Sequence, residues 1–271
     1  MTTSNNASEP RDWALILGAS SGFGEATSLE LAKFGFNIFG VHLDRKNTLP
    51  NVERIQELIK GMGREAVFFN MNAADDKQRH EALHEMQKVL NQASGSSIKV
   101  LLHSLAFGTL KPFISENHTE AVAKAQMDMT LDVMAHSLVY WAQDLVHRKM
   151  MGHGGRIFAM TSAGSSRVWQ TYGAVSAAKC ALESHIRQLA LELASLGITA
   201  NAILAGVTDT PALRKIPGAE HMVKAASKKN PSGRLTTPRD VASAIAALST
   251  GQTQWVTGNT IRVDGGENIV E

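Results

Sequence analysis

From residue 12 onward the chain alternates between short apolar runs and longer segments whose apolar residues recur at helical spacing. The apolar runs predict strands at Trp13–Leu17, Asn37–Val41, Ala66–Asn70, Lys99–His103, Arg156–Met160, Thr199–Leu204 and Thr260–Val263. The helical spacing predicts helices near 23–34, 51–62, 75–91, 117–149, 173–196 and 238–249. Several runs, Leu15-Ile16-Leu17 among them, are continuous and not alternating, as in strands that helices cover on both faces. Strands that alternate with helices build βαβ units with right-handed crossovers. The expected fold is α/β: a doubly wound parallel sheet of about seven strands, forming one domain over 13–271 after a polar tail at 1–12.

The segment between Thr210 and Pro238 breaks this rhythm, with Pro211, Pro217, Gly218, Pro231 and Gly233 around a short basic helical stretch. Sites in open parallel sheets lie beyond the carboxyl ends of the strands. A long insertion after the sixth strand therefore predicts a substrate lid near 211–237.

Composition narrows the partners. Of 271 residues, 44% are hydrophobic and 19% charged, an ordinary globular mixture able to bury a core without a metal or disulfide staple. Cys180 is the only cysteine, so no intrachain disulfide forms, which suits a reducing cytoplasm. Twenty-seven basic against 25 acidic residues leave +2, too little to draw nucleic acid or anionic lipid. No apolar run approaches the ~20 residues that span a bilayer, and Met1 to Arg11 hold no signal core. His136, His147 and His153 lack metal-ligand spacing, so no metal is expected.

The first strand runs into Gly18-Ala19-Ser20-Ser21-Gly22-Phe23-Gly24 and then a helix. Gly-x-x-x-Gly-x-Gly at a strand-to-helix turn is a relative of the dinucleotide fingerprint and makes the fold Rossmann-like. Gly18 permits a tight exit, while Gly22 and Gly24 leave room for pyrophosphate and for helix against sheet. The helix N-terminus offers unpaired N–H groups to phosphate, and Ser20 and Ser21 add hydroxyls. Past the second strand, His42 stands where an acid is expected, with Arg45 and Lys46 close behind. Basic groups there favour a 2′-phosphate, so NADP(H) is the expected cofactor, and Asp44 keeps NAD(H) open. Asn72, after the third strand, is placed to meet adenine or to cap the next helix.

Tyr172 opens a predicted helix and Lys179 follows seven residues later, on nearly the same face and ~10 Å along the axis. That spacing lets Lys179 hold ribose hydroxyls while Tyr172 reaches past the nicotinamide to a substrate. The surrounding Ala177, Ala178, Cys180 and Ala181 predict that Lys179 is buried and that Cys180 is a small core residue.

The glycine turn, the Tyr/Lys pair and Val263-Asp264-Gly265-Gly266 together resemble the short-chain dehydrogenase/reductase superfamily, over Trp13 to Ile269. Its usual members place the tyrosine four residues before the lysine, where this chain has Val175; a spacing of seven resembles the enoyl-acyl-carrier-protein reductases. His103-Ser104-Leu105-Ala106-Phe107, and Met134 in place of the usual helix asparagine, resemble that branch too. Ser162, ten residues before Tyr172, is similar to the third-type bacterial enoyl reductase, which is usually NADPH-linked. The resemblance implies that Tyr172, Lys179 and Ser162 are catalytic. It further implies that Phe23, Ser104, Leu105 and Ala106 line the cofactor, the Val207 backbone reads the nicotinamide amide, and Thr210 faces the pyrophosphate.

The expected reaction is reduction of a trans-2-enoyl thioester, on acyl carrier protein or coenzyme A, in fatty-acid synthesis. Met222, Val223, Ala225 and Ala226 are candidates for an acyl slot, and Lys224, Lys228 and Lys229 for contact with an acidic carrier. By the same resemblance the long helices at 117–149 and 173–196 imply a homotetramer. The competing readings are a reductase of 3-oxoacyl or other ketones and a non-catalytic dinucleotide sensor.

Overall fold

A computed structural model describes residues 12–270; most of the expected tail at 1–12 lies outside the described residues. Seven strands form one parallel sheet: β1 (Asp12–Leu17), β2 (Asn37–His42), β3 (Ala66–Asn70), β4 (Ser97–His103), β5 (Arg156–Ser162), β6 (Thr199–Ala205) and β7 (Thr260–Val263). Their order is β3-β2-β1-β4-β5-β6-β7, so the chain reverses direction across the sheet between β1 and β4. Such a reversal opens a crevice at the carboxyl ends of the central strands.

The continuous apolar strands are explained by two buried layers. Trp13, Leu15 and Leu17 face one core and Ala14 and Ile16 the other, following the two-residue period of a strand. The second core is closed by α1 (Gly22–Lys33), α2 (Leu49–Gly61) and α8 (Pro238–Leu248) through Leu31, Ile55, Ile59 and Ile245. The first is closed by α3 (Asp76–Leu90), α5 (Ser137–His147) and α6 (Gly173–Glu192) through Leu83, Trp141 and Leu182. Trp13 stacks on Phe39 with ring centroids 4.0 Å apart.

The helix expected over 117–149 is not continuous. Asn117 caps a short 3₁₀ turn by accepting from Thr119 N–H at 3.1 Å, and α4 (Lys124–Leu131) starts only after that turn. Between α4 and α5 lies one π-helical turn, Asp132–His136. A π turn inserts a residue into the ladder and often marks a functional region. This one carries Met134 against the 104–110 segment: a methyl added at Gly108 would lie 2.8 Å from its Sδ. Likewise α6 ends at Glu192, and a 3₁₀ turn at Ala194–Leu196 closes on Gly197 at φ +67°. Within the expected lid, 219–229 forms α7 (Ala219–Lys229).

Candidate active site

The carboxyl edge gathers the segments singled out in the sequence. After β1 the chain turns at Gly18 (φ +91°), whose N–H donates to Val41 O at 2.8 Å. A methyl on Gly18 would meet Ser104 O at 2.5 Å, and one on Gly24 would lie 1.9 Å from Gly18 O. Ser21 caps α1 with extended backbone and no side-chain hydrogen bond, so the first N–H groups of the helix are left open at the crevice. Thr210 comes within 3.5 Å of a methyl built on Gly22, bringing it to the same cradle. An open helix N-terminus beside a turn that excludes side chains fits the phosphates of a dinucleotide. Gly24→Ala is expected to destabilise the protein by about 3 kcal/mol and abolish dinucleotide binding, because backbone and not a flexible side chain blocks the new methyl. Urea unfolding and cofactor fluorescence titration check this.

At the end of β2, where the ribose is expected, polar side chains pair with one another. His42 is buried, and its Nδ1 pairs with Asp44 Oδ2 at 2.9 Å. A carboxylate thus stands two residues after the position where an acid is expected. Burial pushes the Asp44 carboxyl up, but hydrogen bonds from Thr48, Ser20 and His42 outweigh it and hold it below the usual range. Ser20 thereby joins the glycine turn to the end of β2, with a carboxylate at the junction. Arg45 and Lys46 are exposed beyond it. Asn72 is exposed, and its Oδ1 accepts from Ala74 N–H at 3.1 Å; the cap of α3 is Asp75, not Asn72.

Tyr172 and Lys179 emerge on α6 as the spacing requires. Lys179 is 6% exposed and its Nζ donates to Met160 O at 2.6 Å; burial depresses its pKa to about 8, with Glu183 acting against the shift. Tyr172 is half-buried, and burial raises its pKa while Ser162 opposes the rise. The Ser162 Oγ lies 3.5 Å from Tyr172 Oη, long for a hydrogen bond, and also accepts from Gly164 N–H at 3.3 Å. The serine therefore caps its turn and faces the tyrosine at once. Val175, in the usual tyrosine position, is 5% exposed and packed into the first core. Cys180 is exposed, correcting its expected core position, because one residue beyond Lys179 the helix has rotated ~100° outward. Thr171, just before the tyrosine, adopts φ +65°, a strained conformation for a β-branched residue.

Ser104, Leu105 and Ala106 follow β4 beside Gly18, with Ser104 N–H donating to Leu17 O at 2.9 Å. His103 behind them is fully buried and pushed to about 3 by burial; it is a neutral imidazole bonded to Ser137 Oγ at 2.9 Å. The Val207 N–H, expected to read a nicotinamide, instead donates to Glu267 Oε2 at 2.9 Å. The next peptide N–H, of Thr208, has no acceptor among the described residues. In the segment expected to be a lid, Met222 and Val223 are half-buried and Ala226 is buried, whereas Ala225, Lys224 and Lys228 are exposed. Trp169 Nε1 donates to Pro217 O at 3.0 Å, tying the Tyr172 loop to the 211–237 segment. His136 pairs with His185 at 3.0 Å, and no metal-binding cluster occurs among the described residues. No helix among them is long and apolar enough to cross a membrane. Glu267 and the strain at Thr171 are the features the sequence reading missed.

Comparison with known proteins follows the same lines. The chain is 28% identical to the enoyl-(acyl-carrier-protein) reductase (NADH) FabI of Aquifex aeolicus, over 95% of this chain and 91% of that one. It is also 28% identical to the 3-oxoacyl-(acyl-carrier-protein) reductase FabG of Pseudomonas aeruginosa, over 93% and 96%. The crystal structure of the Aquifex aeolicus enoyl reductase superposes with a TM-score of 0.79 at 26% identity, covering 97% of this chain and 98% of that one. A family model described as enoyl-(acyl carrier protein) reductase matches residues 18–268. With its glycine cradle, its Tyr/Lys helix and its seven-stranded parallel sheet, the chain belongs to the enoyl-(acyl-carrier-protein) reductase family, within the short-chain dehydrogenase/reductase oxidoreductases.

Proposed function

We propose that the protein reduces the C2=C3 double bond of trans-2-enoyl thioesters. The observation that carries this reading is the seven-residue step from Tyr172 to Lys179 on one helix, with the usual tyrosine position filled by buried Val175. A tyrosine three residues earlier in the chain sits at the mouth of α6, with its hydroxyl 3.5 Å from Ser162 Oγ. Apolar surface flanks it: Phe113 lies against Gly173, and Trp169 O accepts from Tyr172 N–H at 3.1 Å, both rings being exposed.

A nicotinamide dinucleotide bound in the cradle would supply hydride to C3, and C2 of the resulting enolate would then take a proton to complete the reduction. The protein's part is to receive the charge that moves onto the thioester oxygen. Tyr172, kept protonated by a raised pKa, donates its hydroxyl hydrogen bond to that oxygen as the enolate forms. Lys179, buried and held by Met160 O, orients the ribose and places a positive charge behind the tyrosine. Ser162 keeps the 162–165 turn in place and faces the tyrosine oxygen.

For the cofactor, the Asp44 carboxylate beside Ser20 favours a free ribose 2′-OH, so our reading moves from NADP(H) to NAD(H), with exposed Arg45 and Lys46 leaving NADP(H) tolerated. Asp44→Ser is expected to shift the NADPH/NADH ratio of kcat/KM at least tenfold toward NADPH, because it removes the charge that repels a 2′-phosphate. We further propose a homotetramer assembled through α4, α5 and α6, and approach of an acidic acyl carrier to Lys224 and Lys228; native mass and carrier titration test these.

The similarity to a 3-oxoacyl reductase at equal identity supports a second reading, reduction of a ketone thioester. The absorbance of NADH and NADPH, followed on mixing with crotonyl and with acetoacetyl thioester, separates the two. Oxidation with crotonyl thioester is the expected result; turnover with acetoacetyl thioester alone would replace the enoyl reading.

A further inference from the structure

Sixty residues separate Val207 from Glu267, yet the parallel pairing of β6 with β7, with Ala205 opposite Val263, brings the chain that follows each strand to one place. There Glu267, 6% exposed, accepts the Val207 N–H at 2.9 Å. The fit is close: a methyl added at Gly206 would lie 2.8 Å from Glu267 Oε2 and 2.4 Å from Thr236 Oγ1. The carboxylate is itself held in a rigid turn. Asp264 accepts from Gly266 and Asn268 N–H through its two oxygens, and Asn230 Nδ2 donates to Asp264 O at 2.9 Å. Three other charges face Glu267: Asp264 on its own turn, Arg167 from the loop before Tyr172, and Lys229 at the end of α7. The group thus stands where the 206–210 loop, the tyrosine loop and the lid helix meet.

Resting on the reductase reading above, we infer that Glu267 is a positioning residue for the nicotinamide: by taking the Val207 N–H it fixes the 206–210 backbone so that the unpaired Thr208 peptide faces the carboxamide. A buried carboxylate is costly unless hydrogen-bonded, and burial and Asp264 do push this one up, against the Val207 N–H, Arg167 and Lys229. Its burial beside the 206–210 loop is accounted for by what it holds. The role falls to the nicotinamide half alone, since the adenine half lies across the sheet at Asp44.

The test is binding to the full chain, read by fluorescence with NADH and with ADP-ribose, which lacks the nicotinamide. Glu267→Ala is expected to weaken NADH about tenfold and leave ADP-ribose unchanged. Glu267→Gln, whose side-chain oxygen still accepts the N–H, is expected to stay within about twofold of the parent. Equal weakening of both ligands, no weakening of either, or a glutamine variant as poor as the alanine one would overturn the inference. Hydrogen exchange on the unsubstituted protein gives a test independent of whether the alanine variant folds. Without cofactor the Val207 amide should exchange at least tenfold more slowly than that of Thr208, and NADH should then protect Thr208; equal exchange rates, or an unprotected Thr208, would also overturn it. Failure of the unsubstituted protein to bind NADH or NADPH at all would sink the reductase reading instead.

Discussion

Tyr172→Phe should lower kcat on an enoyl thioester about 10²–10³-fold while leaving cofactor affinity and the unfolding midpoint close to those of the parent. The hydroxyl makes only a 3.5 Å contact with Ser162, so its removal costs the fold little. Its contribution is reserved for the moment when negative charge reaches the thioester oxygen, and an interaction made only then appears in kcat. Stopped-flow measurement of hydride transfer, beside a thermal melt, checks both halves. A variant retaining more than a tenth of the parent rate would show that another group receives the charge and would move attention to Ser162.

Lys179→Met should act in opposite directions on activity and stability. Activity is expected to fall at least a hundredfold, since no positive charge then stands behind the tyrosine. Stability at pH 7 should rise by about 1–2 kcal/mol. The lysine titrates near 8 in the folded protein against 10.5 when free, because burial disfavours its charged form. Between those values the folded chain holds fewer protons than the unfolded one, so the parent gains stability as pH rises through that window. Below pH 8 it carries the full cost of the buried charge, about 3 kcal/mol, which the methionine removes. Part of that gain is offset because Met160 O loses its donor. The advantage of the variant should therefore be constant below pH 8, vanish between pH 8 and 10.5, and be reversed by about 1–2 kcal/mol above that, as denaturant unfolding across that range would record. A variant less stable than the parent at pH 7 would mean that the lysine is held more favourably than its burial implies.

The sheet was legible because its central strands are buried on both faces: Leu15-Ile16-Leu17 reads as a continuous apolar run and could belong to nothing else in so regular an alternation. The glycine turn and the Tyr/Lys pair were legible because each is local, a strand exit in one case and two turns of one helix in the other. What escaped was set by tertiary contact. The π turn at Asp132–His136 leaves the apolar rhythm of 124–147 almost undisturbed, so one long helix was expected. Asp44 itself is legible as keeping NAD(H) open, but its hydrogen bonds to Ser20 and His42 are not, because only the fold of the following turn makes them. Glu267 meets Val207 through strand pairing sixty residues apart, for which no spacing rule exists. Cys180 was assigned to the core from its neighbours' composition, where helical phase would have turned it outward.

The polarity of the parallel sheet also has a practical side. Every segment assigned to cofactor or substrate leaves a strand at its carboxyl end, while the turns entering the strands, such as 91–96 before β4, carry none of them. A molecule so divided has a front and a back. Anchored to a bead or electrode through an added thiol at exposed Ser94, it would present its working edge to the medium. Anchored through its native thiol at Cys180, whose sulfur already contacts Ser165 O in the turn that follows Ser162, it would be fastened by its working edge.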